Sequence, residues 1–271
     1  MNIVNESSML LINMNLVFLV LFVVLVIVWF NTRGTSGLTA GTLRFFGGSN
    51  PSYLSYPSTA SLYPGTNSFT LEAWVKQDPT VVTTENTAPR PFVLSGLSSG
   101  SGLQILGCSI EGDSTSRTLY VWINGDAAVE TEYPTDNKWH HLAIVGETGT
   151  KVSVYIDGIR QQQEVFSYNI INPLAVTSKT FNVGSYPQDP VPSITSFLGY
   201  LANVRYNTTT AFYVDPTFPV PTTAPTNVSG TALLLLAATE ATAFTDSSTN
   251  GLTATANGSV VPAWSSQTLT V

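Results

Sequence analysis

Charge is scarce in this chain. Asp, Glu, Lys and Arg make up 10% of its 271 residues, against roughly 25% in an ordinary soluble domain. Ser, Thr and Asn carry the polarity instead, giving a hydrophilic but weakly charged surface that suits cover by neighbours or work outside the cytosol. Its 10 Lys and Arg residues never form a run, and the net charge is −7. That excludes a protein that tracks nucleic-acid phosphates. Cysteine is nearly absent: Cys108 stands alone, so the chain holds no internal disulfide and no thiolate metal cluster. Cys108 reads as a small buried apolar side chain. No phosphate loop, nucleophile motif or zinc motif occurs, and the sequence reads as that of a non-enzyme. After Phe30 no 3.6-residue apolar period is sustained, which leaves almost no helix in the remaining ~240 residues, enough for one large domain.

The long apolar run is Met9 to Phe30, interrupted by Asn13 and Asn15. As a helix it reaches about 33 Å, enough to cross a bilayer core, and Trp29-Phe30 followed by Asn31 and Arg33 suits an interfacial end. A cleaved signal peptide is the rival reading. Against it stand Glu6, the lack of Lys or Arg before the run and the lack of a small-x-small cleavage site. The expected division is a tail at 1–8, a transmembrane helix at 9–30, a linker at 31–40 and one domain at 41–271. Arg33 and Arg44 follow the span and no basic side chain precedes it, which places the domain on the cytosolic side. Asn-x-Ser/Thr matches at Asn5, Asn207, Asn227 and Asn257 are expected by chance in this composition and decide nothing.

The clearest structural signal is the stretch from Trp139 to Gly158. Val152, Val154 and Ile156 alternate with Lys151, Ser153, Tyr155 and Asp157, so one face of an extended strand is apolar and the other polar. Gly146 to Gly149 can turn the chain back on the strand before it, and Asp157-Gly158 is a two-residue hairpin turn. Similar strands are predicted at 42–46, 53–56, 68–76, 92–94, 102–106, 117–123, 180–184, 197–206, 233–236 and 252–261, with Asn124-Gly125 as another hairpin turn. About a dozen short strands mean two antiparallel sheets packed face to face.

Several segments are similar to those of a known family. Leu43 to Gly48, Tyr53-Leu54 and Phe69 to Val75 resemble the opening of concanavalin A-like, laminin-G-type domains. Lys138 to Ala143 and Val154 to Gly158 resemble that family's central hairpin, and Asn182 to Ser185 with Phe197 to Arg205 its later strands. Leu233 to Leu236 with Thr245 to Gly251 resemble versions found in viral and phage structural proteins. The resemblance implies an all-β jelly-roll sandwich of two curved sheets. Its members include lectins, pentraxins, adhesion modules and glycosidases, so the fold alone selects no function.

Those chemistries make different demands on the side chains. Hydrolases of this fold set carboxylates on alternate residues of one strand, followed by a third acid. Glu130 and Glu132 fit the spacing, about 6.6 Å apart along a strand, but Pro134 interrupts and Asp136 falls at the wrong offset. They read as exposed hairpin carboxylates. His140 and His141 point to opposite faces and cannot share a metal; one is expected to pack and the other to meet solvent or a backbone carbonyl. Asp113, Asp126, Asp157 and Asp189 are loop acids without a family calcium motif, so no cofactor is expected and calcium is the alternative. Tyr53, Tyr56, Trp122, Tyr133 and Tyr186 are the candidate contacts for a carbohydrate or a protein partner.

The expected function is a membrane-anchored structural protein of a virus particle. It would be a minor capsid component of a large DNA virus, linking an internal membrane to the shell through protein contacts. The apolar run, the sparse charge, which leaves little to desolvate at an interface, and the viral resemblance of the closing strands support it. The alternative is a cell-surface lectin, anchored by the same helix and binding glycans through an aromatic platform.

Overall fold

The computed structural model describes residues 37–46, 52–78, 91–98, 101–171, 178–185, 197–258 and 262–271. The run 9–30, Tyr186 and Asp189 lie outside these residues. Among the described residues no helix is long and apolar enough to cross a membrane. Residues Gly37–Val271 form one compact unit.

That unit is a sandwich of antiparallel strands. They are β1 (Leu38–Phe45), β2 (Ser52–Pro57), β3 (Phe69–Gln77), β4 (Phe92–Ser98), β5 (Ser101–Gly112), β6 (Arg117–Ile123), β7 (Asp126–Glu132) and β8 (His140–Glu147). There follow β9 (Lys151–Ile156), β10 (Ile159–Val165), β11 (Ser178–Val183), β12 (Gly199–Asn207), β13 (Thr231–Leu235), β14 (Thr255–Gly258) and β15 (Ala263–Leu269). One sheet runs β10-β9-β8-β3-β12-β1-β15, with β13 also paired to β12; the other runs β14-β2-β11-β4-β5-β6-β7. Helix among the described residues is limited to single 3-10 turns at Ala60–Leu62 and Glu240–Thr242.

The alternation read from the sequence decides what faces the core. Phe69, Leu71, Ala73 and Val75 of β3 turn inward with Leu142 and Ile144 of β8 and Val152 and Val154 of β9. From the facing sheet come Leu106, Cys108 and Ile110 of β5 and Leu119, Val121 and Ile123 of β6. Phe181 of β11 stacks on Tyr206 of β12 with ring centres 5.6 Å apart, joining the sheets. Each such large apolar side chain contributes about 1.5–3 kcal/mol by leaving water. Both two-residue turns have the conformation their sequences demand. Asn124 and Gly125 lie at φ 52° and 92°, Asp157 and Gly158 at 53° and 75°, the positive-φ pairs of a type I′ hairpin.

The structure corrects the sequence reading at both ends of the domain. β1 starts at Leu38, inside the stretch 31–40 read as linker, because Leu38, Thr39 and Ala40 pair with Leu269, Thr268 and Gln267. The closing strand predicted over 252–261 is instead β14, and β15 follows it. Across the outer face of the first sheet lies an irregular strap, 208–230. Its Ala211, Tyr213 and Phe218 pack on the cluster of Ala143, Val145 and Tyr155, and its Val220 on the cluster that holds Trp74, Trp139 and Ala202. The strap is pinned at the β9–β10 turn, where Phe218 N–H donates to Gly158 O at 2.8 Å. A Cβ on residue 158 would lie 2.1 Å from Phe218 O, so glycine is required there twice over.

Candidate functional site

The outer face of the second sheet carries an aromatic pair beside two carboxylates. On β6 the outward residues are Thr118, Tyr120 and Trp122, each half-buried. The Tyr120 and Trp122 ring centres lie 5.9 Å apart and the rings are inclined by 33°. Trp122 Nε1 donates to Ser109 Oγ at 2.9 Å, and Ser109 in turn donates to Glu111 Oε1 at 3.0 Å. The indole is therefore fixed in orientation by a partner on β5. On β7, Glu130 stands opposite Tyr120 and Glu132 opposite Thr118, both exposed. An aromatic pair held still beside two carboxylates can take the apolar face of a sugar ring and accept from its hydroxyls.

A second cluster lies at the rim. His140 Nδ1 is 2.7 Å from Asp157 Oδ2, and its Nε2 is 2.9 Å from Asp136 Oδ1. Only the doubly protonated ring can donate to both. Burial alone would lower the imidazole's pKa, but the bonds to Asp157 and Asp136 and their charges hold it above the ordinary histidine value. Asp136 moves the other way: burial would raise it, and the His140 hydrogen bond leads the effects that keep it below the ordinary value. Asp157 also accepts from His141 N–H at 2.9 Å, tying the hairpin turn to β8. Beside this cluster is a cleft of about 480 Å³ lined by Arg117, Glu132, Tyr133, Asp157 and Gln161, among others.

The His140 clamp gives a pH dependence whose sign is fixed. A folded-state pKa above the unfolded value of about 6.5 contributes stability that is complete below that pH and lost as pH rises through the folded pKa. Asp136, held low, contributes in the opposite sense, losing its share as pH falls. Denaturant midpoints should therefore fall from pH 6 to pH 9, and His140→Gln should flatten that decline. An unchanged slope in the variant would show that the clamp does not set it.

The third cluster sits on the outer face of the first sheet. Glu72 of β3, 2% exposed, receives Arg205 of β12 through Nε at 2.6 Å and through Nη2, both at Oε1. Its Oε2 receives the Tyr213 hydroxyl at 2.6 Å and lies 3.2 Å from His141 Nε2. Burial, then the charge of Glu72 and the hydrogen bond to it, push the Tyr213 phenol well up, so it remains a donor.

The candidate residues named from sequence are scattered by this fold. Tyr53 is half-buried on the outer face of β2, on the same sheet as Trp122 but not beside it. Tyr56 is turned into the core, its hydroxyl donating to Phe244 O at 3.1 Å; on β2 it has the opposite parity to Tyr53, so it offers no surface contact. Tyr133 is 4% exposed and its hydroxyl has no hydrogen-bond partner. Trp122 is the one with an aromatic partner at the surface, Tyr120, which the sequence reading passed over although i, i+2 spacing on a strand was its signal. The histidines do face opposite ways, but both are buried and both meet carboxylates, where one was expected at solvent or a backbone carbonyl. Asp113 caps its own turn, accepting from Thr115 N at 2.7 Å, Thr115 Oγ1 at 2.6 Å and Ser116 N at 3.2 Å. Among the described residues no group of three or more His, Cys, Asp or Glu is arranged to hold a metal ion.

The chain is similar to several known proteins. A family described as the concanavalin A-like lectin/glucanases superfamily matches residues 47–212. A Bacteroides ovatus protein named as a candidate carbohydrate-binding protein is similar in structure at 17% identity and TM-score 0.51, over 86% of this chain and 60% of that one. A heptameric SAP-like pentraxin from Limulus polyphemus matches at 15% identity and TM-score 0.47, over 64% of this chain and 78% of that one. A Trypanosoma rangeli sialidase matches at 16% and 0.43, over 64% of this chain but a quarter (25%) of its own. At 17% identity the Bacteroides likeness shows the fold alone. No curated protein sequence matches the chain.

Proposed function

The chain belongs to the concanavalin A-like lectin/glucanases superfamily, and from that premise we propose that it is a non-catalytic glycan-binding module held at a membrane. The Tyr120–Trp122 pair carries the reading. Its indole is oriented before any ligand arrives, so binding spends little side-chain entropy, and Glu130 and Glu132 stand where sugar hydroxyls would need acceptors. The two carboxylates sit on an edge strand with Asp136 engaged by His140 and Lys138. That leaves them suited to recognition rather than to acid–base work. Residues 9–30 are proposed as the single-pass anchor, and binding is proposed to need no metal.

The full chain in lipid nanodiscs, applied to a glycan array, should bind a defined set of glycans, and chelation of calcium should leave the signal intact. Trp122→Ala should weaken binding tenfold to a hundredfold, the ~1.5–3 kcal/mol of a buried aromatic contact, while changing stability by only about 1 kcal/mol. Undiminished binding by that variant would remove the aromatic face from the site, and abolition by chelation would replace it with a calcium-dependent one.

A second reading is favoured by the apolar run 9–30 together with the 10% charge content: a membrane-anchored minor capsid protein whose sandwich is covered by shell proteins. Imaging of the native particle or membrane separates the two. Shell proteins lying over Tyr120 and Trp122 would establish the capsid role, and a solvent-facing aromatic pair would establish the lectin.

A further inference from the structure

The strap on the first sheet encloses a pocket of about 250 Å³, on the sheet opposite to Trp122 and independent of it. Glu72, Trp74, His141, Asn203 and Arg205 line it from the sheet, and the strap closes over it with Pro221, Pro225 and the small side chains of Thr223, Ala224 and Thr226. Two polar atoms of its lining stand out. His141 Nδ1 and Asn203 Nδ2 are buried and have no hydrogen-bond partner, although these residues are only 2% and 3% exposed. Leaving a buried polar group unpaired costs about 1–3 kcal/mol.

Asn203 reaches this pocket through a distortion of β12. Its neighbours Ala202 and Val204 pack on opposite faces, Ala202 with Trp74 and Val204 in the core. The pairing with β3 shifts register between Ala202 and Arg205, and Asn203 takes φ 53°, in the left-handed region. That conformation is uncommon for a residue with a side chain and clusters at binding sites. Here it brings a carboxamide to the outer face.

We propose that this pocket binds a small neutral ligand through an acetamido group, as carried by N-acetylated sugars. The charges are already balanced: Glu72 is saturated by Arg205, Tyr213 and His141, so nothing remains to attract an ion. With Nε2–H directed at Glu72, the neutral His141 ring offers Nδ1 as an acceptor, and Asn203 Nδ2 offers a donor. A secondary amide supplies the complement, an N–H for His141 and a C=O for Asn203, and its methyl group finds Trp74 and the two prolines. The roof can yield to admit it. The strap is tied by Phe218 N–H to Gly158 O and by Val228 N–H to Thr231 Oγ1. Between those ties, no hydrogen bond joins residues 219–227 to the other described residues.

The test uses the full chain in lipid nanodiscs carrying Trp122→Ala, so that the aromatic face contributes nothing. N-acetylglucosamine should bind and glucose should not, and the acetyl methyl protons should show magnetisation transfer with the Trp74 ring. Asn203→Gly keeps the left-handed backbone while removing the amide, and should weaken N-acetylglucosamine binding about tenfold, one hydrogen bond's worth. Equal binding of the two sugars, absence of the methyl–Trp74 contact, or an Asn203→Gly chain that binds as tightly as its parent would each overturn the proposal. The methyl–Trp74 contact is read without the Asn203 variant, and so decides the matter even if that variant fails to fold.

Discussion

Replacing Glu72 by alanine is expected to remove about 3–5 kcal/mol of unfolding free energy, the usual result of breaking a buried ion pair from one side. The carboxylate is almost fully enclosed, and three groups depend on it: the Arg205 guanidinium, the Tyr213 hydroxyl and His141. Without it a positive charge remains on a side chain only 12% exposed, stacked over Phe212 at 4.3 Å. For a domain of this size the loss should lower the melting temperature by roughly 6–20 °C. Glu72→Met with Arg205→Met should recover most of the loss, because the charge and its partner leave together. Tyr213 and Arg205 fasten the strap, so proteolytic cutting within 208–230 should accelerate in the single variant before the sandwich unfolds. A cost below about 1 kcal/mol would mean that water replaces the carboxylate and that the strap is held by its other ties, such as Arg160 N–H to Pro216 O and the Tyr155 hydroxyl to Tyr213 O.

The same network sets an acid limit. Burial would raise the Glu72 pKa, but the hydrogen bond from His141, the charge of Arg205 and the hydrogen bond from Tyr213 outweigh it and hold the group below its ordinary value. A depressed carboxylate contributes stability above its unfolded pKa and loses it as pH falls through the folded one. Glu72 and His140 therefore limit the protein from opposite sides, one failing in acid and the other in alkali.

What could be read without the structure follows from the range of each signal. The β8–β9–β10 meander was legible because its apolar period, its turns and its partners all lie within adjacent sequence. The core faces of β3 and β6 were legible from alternation within each strand, although the partners of β3, β8 and β12, lie far along the chain. The pairing of Leu38 with Leu269 was not, since nothing local marks residues 37–40 or 263–269 as partners. Parity separates Tyr53 from Tyr56 only once it is known which face of β2 is buried, and the two sides of a strand with aromatics on both read alike. The Glu72–Arg205 pair joins residues on strands that are neighbours in space and far apart in sequence. The Asn203 bulge breaks the very alternation from which a side chain's direction would be inferred. Sequence-local rules thus gave the sandwich, and they failed at the register shift and long-range pairs that shape its sites.

Asp246→Ala should be about as damaging as the loss of Glu72, for a different reason. Asp246 is 4% exposed and carries no ion-pair partner among the described residues; it serves as an acceptor for the backbone. Oδ1 takes the N–H groups of Leu234 at 2.9 Å and Ser248 at 2.8 Å, while Oδ2 takes Leu252 N–H at 2.9 Å and the Ser248 hydroxyl at 2.8 Å. Ser247 N–H returns to Leu234 O at 2.7 Å, so the turn 245–251 covers the outer edge of β13. An open edge there would expose unpaired backbone groups. Alanine strands three backbone donors and a hydroxyl in a buried setting, at about 1–3 kcal/mol for each one that water cannot reach, and a total near 3–4 kcal/mol is expected. Asp246→Asn should cost roughly half as much, because its oxygen still accepts at one side while its NH2 faces donors at the other. Ser248→Ala, removing one hydroxyl, should cost about 1 kcal/mol. Urea denaturation of the three variants gives the comparison directly. If alanine and asparagine prove equal, the carboxylate is not what closes the turn, and β13 must be protected by the packing of Leu252 and Ala243 beneath it.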